Sequence, residues 1–166
     1  MRDRWQLPAF RRAGPARVTT GELEGAAVAI VKPQTFMNLS GAALHPLLAE
    51  PDFEPSRDLL VLVDDAAIPL GTFRVRARGS AGGHNGLKSV EATLRTREYA
   101  RLRIGVGPVP EGLDDLADYV LAPFEADEVA ALEPLWPVMV DAVTCWTRDG
   151  IDAAMQRFNN PGNLSD

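Results

Sequence analysis

A chain of 166 residues, 46% hydrophobic and 24% charged, has the length and balance of one globular domain with a sizeable core. Its apolar runs fall far short of the roughly 20 residues a membrane helix needs, and MRDRWQLPAF has no apolar signal core, so a cytoplasmic protein without a membrane partner is expected. The lone Cys145 excludes an internal disulfide and, set in an apolar stretch, reads as a core residue.

In chain order, AAVAIV (26–31) reads as a short strand ended by Pro33, and the spacing predicts a helix over 40–49 with Ser40 as its N-cap. LLVLV (59–63) is a continuous apolar run of the kind buried on both faces of a sheet. FRVRAR (73–78) alternates strictly, placing Arg74, Arg76 and Arg78 on one face. LKSVEATLR (87–95) reads as a helix and RLRIGVG (101–107) as a strand. Two further helices are predicted over 126–147, bent near Pro134 and Pro137, and over 151–158. The order predicts an α/β domain with a mixed, mostly parallel sheet covered by helices on both faces.

Sites in such folds lie at the carboxyl ends of strands, and three polar clusters fall there. KPQTFMNLSG (32–41) places Asn38 among Phe36, Met37 and Leu39; Phe36 and Met37 are core residues or an apolar wall for a ligand, and Asn38 serves the loop backbone or a substrate. Asp64 and Asp65 follow the apolar strand, suited to orienting a histidine, capping a turn or holding Mg²⁺ through oxygens. GSAGGHNG (79–86) is a glycine loop opening a helix, where free backbone N–H groups and the dipole favour anions. It lacks the lysine and spacing of a P-loop, and its His84 and Asn85 offer an imidazole and an amide for a carbonyl, a water or an oxyanion. His45, the other histidine, reads as a surface residue beside Pro46.

The net charge of −6 conceals an asymmetry. Residues 71–103 carry eight cations (Arg74, Arg76, Arg78, Lys88, Arg95, Arg97, Arg101, Arg103) against Glu91 and Glu98, a balance of +6. Residues 104–166 carry two arginines against twelve acids, a balance of −10. One basic face on an acidic body suits a nucleic acid, although solvated strands and helices give the same count.

KPQTFMNLSG, LLVLVDD with PLG (69–71), RVRARGSAGGHNGLKS, EYARLRIGVG, DYVLAPF and RFN stand in the order found in bacterial peptidyl-tRNA hydrolases, and across 26–159 the chain resembles that family. The resemblance implies a monomeric three-layer α/β domain spanning 1–166, without metal or cofactor. Its substrate is peptidyl-tRNA, cleaved at the ester joining the peptide to the 3′ ribose. By motif, Asn38 resembles the substrate-holding amide, with Phe36 and Met37 lining the same cleft. Asp64 resembles the carboxylate that keeps the catalytic histidine basic. His84 and Asn85 resemble the pair holding the peptide backbone and the tRNA 3′ end, with Asn85 also counted as catalytic. Arg74, Arg76, Arg78, Lys88 and Arg103 would contact the tRNA backbone.

Three features depart from the pattern. The family's opening strand, its VGLGNPG-like loop and its TRHN-like motif with the general-base histidine have no counterpart, and MRDRWQLPAF resembles the end of the first helix. A late start at Met1 that removes the first strand is the expectation. The alternatives are a non-catalytic RNA-binding relative and a Mg²⁺-dependent phosphoryl enzyme built on Asp64, Asp65 and the glycine loop. Ala67 stands where the family has an acid, and GVGPVP (105–110) lacks the basic residue usual after its glycines.

Overall fold

The segments ARVTTGEL and AAVAIVKP alternate between covered and open positions and pair as a hairpin: β2 (Ala16–Leu23) and β3 (Ala26–Pro33). Glu24 and Gly25 join them with φ of 53° and 83°, the doubly left-handed loop whose twist suits a two-residue hairpin. A short β1 (Arg11–Ala13) pairs antiparallel on the far side of β2, with Gly14 (φ 53°) at the turn. The computed structural model describes residues 1–110, 112 and 116–159. Only β3 of this sheet was legible, because β1 is three residues long and β2 interleaves Thr19, Thr20, Gly21 and Glu22 with its apolar positions.

The chain divides into two compact units, residues 1–59 with 78–99, and residues 60–77 with 100–166. The first holds the antiparallel sheet, a 3₁₀ segment at Met37–Leu44, and helices α1 (His45–Leu48), α2 (Pro55–Asp58) and α3 (Asn85–Leu94). α3 buries Leu87 and Val90, and it lies on the 3₁₀ segment, which buries Ala43 and Leu44. Gly41 sets that approach: its N–H donates to Ser89 Oγ at 3.0 Å, and a Cβ there would strike the Ser89 carbonyl and Thr93 Oγ1.

The second unit carries β4 (Leu60–Pro69), β5 (Phe73–Arg76) and β6 (Ala100–Gly107) in the order β4-β6-β5. β4 runs parallel to β6 and β5 antiparallel to it, so the sheet is mixed. Parallel pairing is confined to β4–β6 among the described residues, because β2–β3 is a tight hairpin and β5 meets β6 in the opposite sense. β4 has no second neighbour among the described residues, and its Leu62 is 42% exposed.

Four helices complete this unit: α4 (Leu116–Leu121), α5 (Ala126–Leu132), α6 (Leu135–Asp149) and α7 (Ile151–Phe158). The helix predicted over 126–147 is divided at Glu133–Pro134, whereas Pro137 sits in the first turn of α6, where a missing N–H breaks no bond. α7 packs on β5 and α6 on α7; Phe73, Val75, Leu102, Met139, Ala142, Val143, Ala154 and Phe158 are buried. Cys145 belongs to this core, where burial and the nearby Asp149 carboxylate push its thiol above the usual cysteine range. Asn159 follows α7 and reads the edge of β5: its Oδ1 accepts from Val75 N at 2.8 Å and its Nδ2 donates to Val75 O at 2.9 Å.

Candidate active site

In the first unit the chemistry gathers at the start of α3. His84 is the N-cap, extended at φ −65° and ψ 116°, and its Nδ1 accepts the Leu87 N–H at 3.2 Å. An imidazole accepting through Nδ1 carries its proton on Nε2, so the ring presents a donor. Gly82 and Gly83, at φ 56° and 91°, make the turn that delivers His84 to this position. Gly86 has no room for a side chain: a Cβ there would lie 2.7 Å from Met37 Sδ and 2.9 Å from His84 Cε1. Met37 and His84, far apart in sequence, therefore meet over Gly86. Asn85 is exposed, and its Oδ1 accepts from Lys88 Nζ at 3.4 Å.

Replacing His84 by Ala is expected to lower stability by about 1 kcal/mol through loss of the cap, with His84→Asn recovering most of it. Thermal denaturation of the two variants checks this, and equal losses would contradict the capping role.

The turn before α1 presents Phe36, Met37 and Leu39 at 82%, 52% and 53% exposure, with Asn38 exposed among them. These side chains are therefore exposed and do not belong to the core. Ser40 does not cap a helix as predicted. The segment winds as a 3₁₀ helix from Met37 behind Phe36, and Ser40 Oγ donates back to Met37 O at 2.8 Å. His45 is exposed at the first residue of α1.

In the second unit, register separates the two aspartates. Asp65 pairs with Gly105 and shares a face with Arg103, whereas Asp64 pairs with Ile104 on the opposite face. Asp65 is buried; its Oδ2 lies 2.8 Å from Arg103 Nε, a charge contact whose N–H direction misses hydrogen-bond alignment. Its Oδ1 accepts the Ala67 N–H at 3.0 Å. Asp64 is half-buried. β4 and β6 slip register between Asp65 and Pro69, and Gly105 and Gly107 permit the close approach, since a Cβ at either would strike β4 carbonyls. With Asp65 committed to Arg103 and Ala67 and Asp64 facing the other way, the pair is not arranged as a joint Mg²⁺ ligand. Among the described residues no three His, Cys, Asp or Glu side chains cluster for a metal.

The basic cluster proves unevenly available. Arg74, Arg76, Arg101 and Arg103 share one face of β5–β6, but Arg101 is 1% exposed and Arg103 is held by Asp65. Arg74 Nη1 reaches Asn159 O at 3.5 Å, and Arg78 lies 3.6 Å from Glu98. Lys88, Arg95 and Arg97 line an open groove of about 390 Å³ along α3, floored by Ala92 and Thr96, with Arg97 anchored 3.2 Å from Glu91.

The model of the peptidyl-tRNA hydrolase family matches residues 1–165. The chain belongs to the peptidyl-tRNA hydrolase family. The peptidyl-tRNA hydrolase of Gemmatimonas aurantiaca is 45% identical over 93% of this chain and 83% of its own. That of Chloroflexus aurantiacus is 46% identical over 87% and 76%. The crystal structure of peptidyl-tRNA hydrolase from Acinetobacter baumannii superposes with a TM-score of 0.86 at 24% identity, covering 95% of this chain and 80% of that one. The fold is therefore that of the peptidyl-tRNA hydrolases. Within the family signature, Asn159 of RFN is the residue whose task sequence reasoning missed. An amide closing a helix gives no periodic signal, and only the fold shows it bonded to the backbone of Val75.

Proposed function

We propose that this chain cleaves the ester between a peptide and the 3′ ribose of tRNA. The observation that carries the reading is the His84 cap, whose Nδ1 accepts the Leu87 N–H and so fixes the ring at the start of α3, one residue before Asn85, in a chain of this family. These two groups hold the peptide carbonyl and the tRNA 3′ end and stabilise the negative charge that develops on the carbonyl oxygen when water attacks. Asn38 holds substrate, and the exposed Phe36 and Met37 give an apolar wall for a base or a peptide side chain. Asp64 orients an imidazole base and stabilises its protonated form. Arg74, Arg76, Arg78, Lys88 and Arg103 face the tRNA backbone. No metal or cofactor enters the reading. Its substrate, a product of translation, assigns it to the cytoplasm, and one copy of the chain suffices.

The imidazole that activates water is neither of the two histidines in the 166 residues. His84 spends Nδ1 on Leu87 N–H, and His45 is exposed on a different helix. Cleavage by these residues alone is expected to fall short of a base-assisted reaction by about 10²–10⁴-fold. The same observation favours the second reading, a tRNA-binding relative without hydrolysis. Single-turnover cleavage of N-acetylaminoacyl-tRNA, with the chain in excess, separates the two. Hydrolysis above the uncatalysed rate that falls at least tenfold in Asn85→Ala supports the enzyme. Tight tRNA binding with no cleavage supports the binding protein.

A further inference from the structure

The register of the antiparallel sheet aligns three cations that the basic segment at 71–103 does not include. Arg12 on β1 lies directly opposite Arg17 on β2, and Arg17 directly opposite Lys32 on β3. All three are exposed, and among the described residues none pairs with a carboxylate. Neighbouring strands lie about 4.7–5.5 Å apart, so the Cα atoms of the three cationic residues form a row about 10 Å long. Like charges directly opposite on a sheet repel and cost stability. On β2 no acidic residue shares their face: Arg17 shares its side with Thr19 and Gly21, while Glu22 points to the other side.

The Lys32 end of the row is supported from below. Residues 7–10 cross this face, with Thr19 Oγ1 donating to Pro8 O at 2.8 Å and Leu7 filling the space over Gly21. Phe10 ends the crossing with its ring 4.4 Å beneath Lys32 Nζ. A row of cations aligned by strand register, two of them guanidinium forks suited to bidentate phosphate contact, matches a polyanion with closely repeating charge. Lys32 stands six residues before Asn38, which bounds the distance between their Cα atoms at about 20 Å. That is about six base pairs along a duplex strand at roughly 3.4 Å each.

We propose that Arg12, Arg17 and Lys32 form a phosphate-binding row that grips the tRNA backbone a few nucleotides from the end held at Asn38. The proposal rests on the tRNA-hydrolase reading and adds a contact surface to it. Several arginines of the 71–103 segment are committed to Asp65, Glu98, Asn159 or burial, whereas among the described residues this row pairs with no carboxylate and only Lys32 has a side-chain contact, the Phe10 ring.

The test measures deacylated tRNA binding by fluorescence anisotropy between 50 and 300 mM KCl for the wild-type chain, R12Q/R17Q/K32Q and R12K/R17K. Removing three phosphate contacts is expected to flatten the slope of log K against log salt by about 2–3 and to weaken binding at least tenfold at the low-salt end. R12K/R17K keeps the charges and should keep the slope. The glutamine variant should melt no lower than the wild type, since the row is exposed and self-repelling. Unchanged slope and affinity in the glutamine variant overturn the proposal. Binding of polyglutamate that is as tight as tRNA binding and equally dependent on the row overturns the assignment to RNA. Cleavage of N-acetylaminoacyl-tRNA by the same protein variants keeps the two readings apart. A row-dependent slope without cleavage leaves the row and removes the hydrolase, and cleavage with an unchanged slope does the reverse.

Discussion

Asn159→Ala is expected to destabilise the chain by about 1–3 kcal/mol, because it strands the N–H of Val75 and leaves the Val75 carbonyl with only Arg76 Nη1 at 3.3 Å. Val75 is 1% exposed, so water cannot replace the amide without opening the packing of α7 on β5. Each buried polar group left unpaired costs about 1–3 kcal/mol. Asn159→Asp is the sharper probe: its carboxylate still accepts from Val75 N but sets a second oxygen against the Val75 carbonyl, so it should recover little. Urea denaturation reads both, as a fall in midpoint at constant slope. A loss under about 0.5 kcal/mol in Asn159→Ala, the range of ordinary surface changes, would show that the clamp does not hold β5.

Arg103→Ala is expected to cost about 2–3 kcal/mol, since it strands the carboxylate of Asp65, whose side chain is only 7% exposed. The figure sits below that for a fully buried pair because the arginine side chain keeps 30% of its exposure. Asp65→Asn retains an oxygen for the Ala67 N–H and removes the charge, so the double variant R103A/D65N should be more stable than Arg103→Ala alone. A double-mutant cycle on denaturation midpoints measures this, with a coupling of about 1–2 kcal/mol expected. Strict additivity would mean that the two side chains do not stabilise one another. In tRNA binding, Arg103→Ala removes a cation that Asp65 already neutralises, so its salt slope should change less than that of the Arg12–Arg17–Lys32 variant.

What was legible in the sequence is what local pattern specifies. β3, the core of β4, β5, β6, α3 and α7 follow from runs of apolar residues, strict alternation or helical spacing, and they stand where these signals put them. The glycine loop announced the start of α3, and the motifs carried the family. The carboxyl-end extension of β4 through Asp64 and Asp65 did not show, because its register slips where Gly105 and Gly107 admit β4 carbonyls, and strand patterns assume an even ladder. Which aspartate is committed to an arginine follows from cross-strand register, a property no single segment contains. The same holds for the cationic row: Arg12, Arg17 and Lys32 are scattered along the chain and become neighbours only through two hairpins. Charge counted along the sequence therefore pointed to 71–103, where several cations are internally paired, and passed over the three that are not.

The most direct test of the central claim is single-turnover cleavage of N-acetylaminoacyl-tRNA by the 166-residue chain, with and without millimolar imidazole, compared with Asp64→Asn. If the chain supplies the substrate-holding groups and lacks the base, cleavage is slow, rises at least tenfold with imidazole, and rises less in Asp64→Asn. Fast cleavage indifferent to imidazole would contradict the account by showing that a group among these residues already activates the water.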